Sequence, residues 1–259
     1  MKVLILDTAE AAISRAAGII AQTITQKPRA VLGLATGGTM LPLYARLCQL
    51  HAEGLRFAGV TSFNLDEYVG LGADHPCSYH RYMRAALFDH IDIDRARAHL
   101  PKGDARDVHC EAIRYEGRIA EAGGIDLQLL GLGSNGHIGF NEPTSSLGSR
   151  TRVKTLTEST RQANRIYFER EADVPRFAIT MGVATILEAR ACLLLATGPA
   201  KAQAVAAMVE GALSAICPAS ALQQHPATTV VLDRAAARDL RLGAYYEHVH
   251  PEGQDRVLA

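Results

Sequence analysis

Residues 127–143 read Leu-Gln-Leu-Leu-Gly-Leu-Gly-Ser-Asn-Gly-His-Ile-Gly-Phe-Asn-Glu-Pro. The apolar run Leu127 to Leu132 reads as a buried strand. Gly131, Gly133 and Gly136, with Gly139 just beyond, let the backbone turn sharply and come close to a ligand. Among them stand an amide, an imidazole and a carboxylate: Asn135, His137 and Glu142. A strand that empties into such a loop belongs to an open α/β sheet, where ligands bind outside the carboxyl ends of the strands. A histidine there, with polar neighbours to fix its tautomer, suits proton transfer near neutral pH. Taken alone, the segment fits a glycine-rich turn with a solvated histidine equally well.

Strand and helix patterns alternate outward from this stretch in both directions. Val3–Leu6, 30–35, 59–63, 177–180, 191–197 and 228–232 read as strands. Asp7 is a candidate cap for the first helix, with Glu10 at capping-box spacing. Ala12, Ile13, Ala16, Ala17, Ile20 and Ile24 then follow a helical period until Lys27-Pro28 stops it. Residues 78–87, 108–122 and 200–211 read as further helices, with Gly123-Gly124 closing the second. This alternation predicts a doubly wound, mostly parallel sheet with helices on both faces, of Rossmann-like type. Without a Pro/Ser linker or a break in composition, the pattern predicts one domain over residues 1–259. Residues 245–251 have no clear assignment.

Three more stretches can carry chemistry. Thr36-Gly37-Gly38-Thr39 joins a strand to a helix with proline in its first turn (Pro42). Backbone N–H groups and a positive helix end there can cradle a phosphate. The stretch is neither a P-loop nor a dinucleotide fingerprint, and an ordinary strand-to-helix turn is the plain alternative. Asn64-Leu-Asp-Glu-Tyr68 places two adjacent carboxylates, Asp66 and Glu67, at a strand end. On a continuing strand they would point to opposite faces; a solvated acidic turn is the more usual reading of such a pair. Residues 145–165 carry hydroxyls and five cations, including Arg152, Lys154, Arg161 and Arg165. That is a solvated face or a cationic flap over an anion. Lys201 falls in the first turn of a helix, where a cation opposes the helix dipole unless an anion sits beside it.

Composition narrows the classes. Lys+Arg and Asp+Glu both total 27, which gives no support to a nucleic-acid footprint. The five cysteines are widely spaced and form neither a disulfide framework nor a zinc pattern; reduced thiols in a cytoplasmic protein are the simplest account. The apolar N-terminus is too short for a signal peptide, and no run is long enough to span a membrane. The histidines are scattered, so no metal is expected.

Three motifs resemble one family: 32–39, Leu-Gly-Leu-Ala-Thr-Gly-Gly-Thr; 63–71, Phe-Asn-Leu-Asp-Glu-Tyr-Val-Gly-Leu; and the 131–143 stretch itself. Residues 145–155 extend the match, which runs from Leu4 to about the last strand. The chain resembles the glucosamine-6-phosphate deaminases, of the sugar-phosphate isomerase fold type. The resemblance implies conversion of glucosamine 6-phosphate to fructose 6-phosphate and ammonia without metal or organic cofactor, in amino-sugar catabolism. It implies that His137 assists ring opening, oriented by Asn135 and charge-supported by Glu142, and that Asp66 removes the C2 proton. Some family members carry aspartate where this chain has Asn135. It implies phosphate binding by Thr36, Gly37, Gly38, Thr39, Lys201 and Arg165, with Arg161 the alternative register. Ser145, Arg152 and Lys154 match the N-acetylglucosamine 6-phosphate activator site of hexameric members, although the tail matches poorly. The expected partner is a small sugar phosphate, with no nucleic acid and no membrane; homo-oligomerisation is left open. A 6-phosphogluconolactonase-type hydrolase and a non-catalytic sugar-phosphate sensor are the rival readings. The intact Asp66, His137 and Glu142 favour chemistry over sensing.

Overall fold

The computed structural model describes residues 1–254. Its centre is a parallel sheet in the order β1-β10-β9-β6-β2-β3-β5. The strands are β1 (Lys2–Leu6), β2 (Val31–Leu34), β3 (Thr61–Asn64), β5 (Ala98–His99), β6 (Leu127–Leu130), β9 (Ala191–Ala196) and β10 (Thr228–Asp233). Near-continuous apolar runs suit strands covered on both faces. Leu4, Leu130, Leu193, Leu194, Val230 and Val231 are all fully buried. The helices are α1 (Ala9–Gln26), α2 (Met40–Ala52), α3 (Tyr79–Ala86), α4 (Val108–Glu121), α5 (Glu158–Asn164), α6 (Val183–Leu187), α7 (Ala202–Val209), α8 (Arg234–Ala237) and α9 (Gly243–Val249).

Strand order fixes where a ligand can bind. From β2 the chain winds one way, to β3 and β5; from β6 it winds the other way, to β9 and β10. The reversal falls between the adjacent strands β2 and β6. A crevice opens outside the carboxyl ends of strands at such a switch point. The loop 35–39 leaves β2 there and the loop 131–137 leaves β6.

A second sheet was not foreseen. β4 (Asp66–Tyr68), β8 (Phe177–Thr180) and β7 (Arg152–Thr155) form an antiparallel layer in the order β4-β8-β7. Residues 177–180 are thus a strand as expected, but outside the parallel sheet. Leu65 is the pivot: its N–H donates to Leu34 O in the main sheet and its carbonyl accepts from Met181 N. A separate apolar cluster of Tyr68, Leu71, Phe140, Leu156, Phe168, Val174 and Ala178 backs this layer.

Two local expectations are corrected. Thr8, not Asp7, caps α1 by accepting from Ala11 N. Asp7 instead pairs with Arg234 at 2.7 Å. Lys201 ends a short 3-10 turn, Pro199–Lys201, just ahead of α7, which stops at Val209. The unassigned tail forms α9, with Pro251–Gly253 packing against β1.

Candidate active site

The crevice at the switch point is a cleft of about 310 Å³. One wall is the loop Thr36 to Thr39. Gly37 sits at φ +114°, where a side chain would be strained. Two hydroxyls brace the loop: Tyr82 donates to Gly37 O at 2.8 Å and Tyr44 to Ala35 O. Thr39 precedes α2 without making a side-chain cap bond. The first-turn N–H groups of α2 therefore have no side-chain acceptor at that position and suit an anion. Lys201 lines the same cleft. Burial lowers the pKa of its amine, and the Lys201 backbone N–H donates to Gly198 O. Asp233 fixes that turn, both carboxylate oxygens accepting from Gly198 N at 3.0 Å.

The loop after β6 supplies the opposite wall. His137 lies against Gly133, where an added Cβ would meet its ring atoms at 2.4 Å. Any side chain at 133 would force the ring or the loop to move. His137 Nδ1 stands 3.4 Å from Glu142 Oε2, near the outer limit of a hydrogen bond. Asn135 joins the two: its Nδ2 donates to Glu142 Oε2 at 2.9 Å and its Oδ1 accepts from His137 N at 3.2 Å. Glu142 is only 1% exposed. Burial pushes its pKa up, but hydrogen bonds from His137, Thr160 and Asn135 and the attraction of His137 outweigh burial, leaving it at about 2. A permanent carboxylate therefore stands behind the imidazole.

Asp66 and Glu67 are both buried, not solvated. Their side chains part as a strand demands. Glu67 turns to α3 and accepts from Tyr79 N and His80 N at 3.1 and 3.0 Å, and from Tyr68 N. Asp66 lines the cleft. Burial first, and the Glu67 charge second, raise Asp66 to about 8. Burial also lifts Glu67 to about 7, against its three N–H donors. A carboxyl so poised can exchange a proton with a carbon acid near neutral pH.

The cleft thus collects Thr36 to Thr39, Asp66, Asn135, His137 and Lys201, with Glu142 directly behind. Arg165 and Arg161 lie on the far side of α5, lining a neighbouring cavity of about 170 Å³. Arg165 donates to the Phe168 and Glu169 carbonyls; Arg161 is paired with Glu158 at 2.8 Å. Ser145, Arg152 and Lys154 lie outside the cleft. Arg152 donates to Asn141 Oδ1 at 2.9 Å, and Asn141 Nδ2 donates to the Ile138 and Met181 carbonyls.

Sequence reasoning missed Tyr79, Tyr167 and Thr160 in the cleft wall. Tyr79 follows the Ser78 N-cap, a legible position, but nothing in its spacing announces that it faces Asp66. Among the described residues, no group of three or more His, Cys, Asp or Glu side chains is arranged to hold a metal ion. No helix among them is long and apolar enough to cross a membrane.

The family model for glucosamine-6-phosphate isomerases/6-phosphogluconolactonase matches residues 6–231. The glucosamine-6-phosphate deaminase of Shewanella loihica is 54% identical over 258 residues, covering 98% of this chain and 95% of its own. That of Rhodopirellula baltica is 57% identical over 229 residues, covering 88% and 91%. A solved monomeric glucosamine-6-phosphate deaminase superposes with a TM-score of 0.90 at 50% identity, over 92% of this chain and 100% of its own. The 6-phosphogluconolactonase from Trypanosoma cruzi superposes at 0.76 with 21% identity, over 93% and 97%. That likeness is one of fold.

Proposed function

This chain belongs to the glucosamine-6-phosphate isomerase/6-phosphogluconolactonase family, and from that premise we propose how its cleft converts glucosamine 6-phosphate and water to fructose 6-phosphate and ammonia. The observation that carries the reading is a single cleft holding an anion cradle, a buried carboxyl and a carboxylate-backed imidazole.

The phosphate sits on the N–H groups of residues 36–39, opposite Lys201. Arg165 adds a second cation. It stands between Asn164 and Tyr167, which border the cleft, and its present acceptors are neutral carbonyls. Rotating its side chain exchanges them for phosphate oxygens, a stronger charge-assisted partner. Arg161, held by Glu158, lacks that freedom.

His137 moves the proton between the ring oxygen and the anomeric hydroxyl, opening the sugar. Asn135 and Glu142 hold the imidazole and support its charge. Asp66, ionised, takes the proton from C2; the electron pair forms a C1–C2 double bond, the C1 carbonyl π pair moves onto its oxygen, and that oxygen takes a proton from the C2 ammonium, giving an enolamine. Asp66 returns that proton to C1, leaving an imine at C2. Water adds to C2, the C–N bond breaks, and ammonia leaves with a ketone in place.

Lactone hydrolysis has no use for a buried base beside C2, and a sensor has no use for one at all. The test is direct. The protein is incubated separately with glucosamine 6-phosphate and 6-phosphogluconolactone. Equimolar ammonia and ketose phosphate from the first, and no accelerated hydrolysis of the second, are expected. Lactone hydrolysis without ammonia release would overturn the reading.

A further inference from the structure

Glu142 is held from two directions. Asn135 reaches it from its own loop. The second hold comes from α5, a different element. Thr157, the N-cap of α5, offers its N–H to Glu142 Oε1 at 3.4 Å. The Thr157 hydroxyl donates to Thr160 Oγ1 at 3.1 Å. Thr157 Oγ1 in turn accepts from Thr160 N at 3.3 Å, which locks the first turn of the helix. With its oxygen serving as acceptor, the Thr160 hydroxyl keeps its own proton to give, and Glu142, whose pKa it helps to lower, is the carboxylate that the first turn of α5 already meets through Thr157 N. Thr160 is only 4% exposed, and it also borders the cleft. A hydroxyl buried there is worth keeping only if bonded.

We propose that Thr160 is a positioning residue for this reaction: the relay Thr157 hydroxyl to Thr160 hydroxyl to Glu142 fixes the carboxylate against His137. Thr160 acts through Glu142 and does not touch the reacting atoms. The consequence is specific. His137 Nδ1 has a marginal 3.4 Å contact with Glu142, so a carboxylate freed on its α5 side loses the orientation that keeps the ring in register. This inference rests on the deaminase reading given above.

Thr160→Val keeps the shape of the side chain and deletes the hydroxyl; Thr160→Ser keeps the hydroxyl and deletes the methyl. Both are measured beside the wild type for kcat and KM on glucosamine 6-phosphate, with thermal midpoints to check folding. Loss of a hydrogen bond to a charged group predicts that Thr160→Val lowers kcat by about ten- to a hundredfold. KM should stay within about threefold, as for an interaction felt mainly in the transition state. Thr160→Ser should restore most of kcat. A valine variant with wild-type kcat, a change confined to KM, or a serine variant as poor as the valine one would each overturn the proposal. The wild-type arm separates the two ideas: no ammonia from the wild type sinks the deaminase reading, whereas an active wild type with an indifferent Thr160→Val sinks only the relay.

Discussion

A methyl group at Gly133 would occupy space already filled by the imidazole of His137. The ring must then swing away from Glu142 or the loop must shift. Displacing a catalytic group by about 1 Å costs on the order of 10²-fold in rate, so Gly133→Ala should lose about that much kcat while the fold stands. Circular dichroism and steady-state kinetics together check this. Asn135 offers a test of sign. Asn135→Asp puts a like charge against Glu142, which raises the Glu142 pKa. The acid limb of the kcat/KM profile should therefore move to higher pH, and an unchanged profile would count against the role given to Asn135. Asp66 ties the site to stability. Its pKa is raised from 3.8 to about 8 in the folded chain. A raised pKa means the folded chain holds the proton more tightly. The stabilisation is complete below about pH 4 and disappears as pH rises through about 8. Thermal midpoints of Asp66→Asn should match the wild type at the acid end of that window and exceed it at the alkaline end.

At the scale of elements, the proposed reading joins the 36–39 loop, Lys201 and Arg165 into one phosphate-binding unit. Lys201→Met and Arg165→Ala should each raise KM for the sugar phosphate by about 10–100-fold, since each removes a charge-assisted contact. Arg161→Ala should leave KM near normal, because that guanidinium is engaged by Glu158. Equal effects at 161 and 165 would contradict the assignment. The elements legible in the sequence were those with a strong period or a sharp stop. β2 is apolar and β6 apolar but for Gln128, and each ends in glycine-rich chain, so the two loops of the site were legible in the sequence. β4 and β7 could not. Asp66-Glu67-Tyr68 and Arg152-Val153-Lys154-Thr155 carry charges where a buried strand ordinarily carries aliphatics. They are strands because β8 lies between them and bonds to both, a contact made across more than a hundred residues of chain from β4. For the same reason the acidic pair looked solvated. Glu67 is buried against α3, whose N–H groups donate to its carboxylate, and local composition holds no record of that.

The whole molecule is arranged so that distant parts of the chain face one another across the switch point of the sheet. The small antiparallel layer adds a link. Arg152, Thr180 and Asp66 stand side by side in its register, and the Arg152 guanidinium holds Asn141, which holds the loop carrying His137. In this arrangement Arg152 braces the loop that carries His137. A hyperbolic substrate curve, unmoved by N-acetylglucosamine 6-phosphate, is expected; a sigmoidal curve sharpened by that sugar phosphate would return Ser145, Arg152 and Lys154 to an activator site. The central claim is that Asp66, delivered by one sheet, meets at the C2 position a sugar whose phosphate is held by the other. Substrate affinity and turnover of Asp66→Asn on glucosamine 6-phosphate test it most directly. The account predicts a Kd close to that of the wild type and a kcat lower by about 10²–10⁴-fold; near-normal ammonia release from this variant would contradict it.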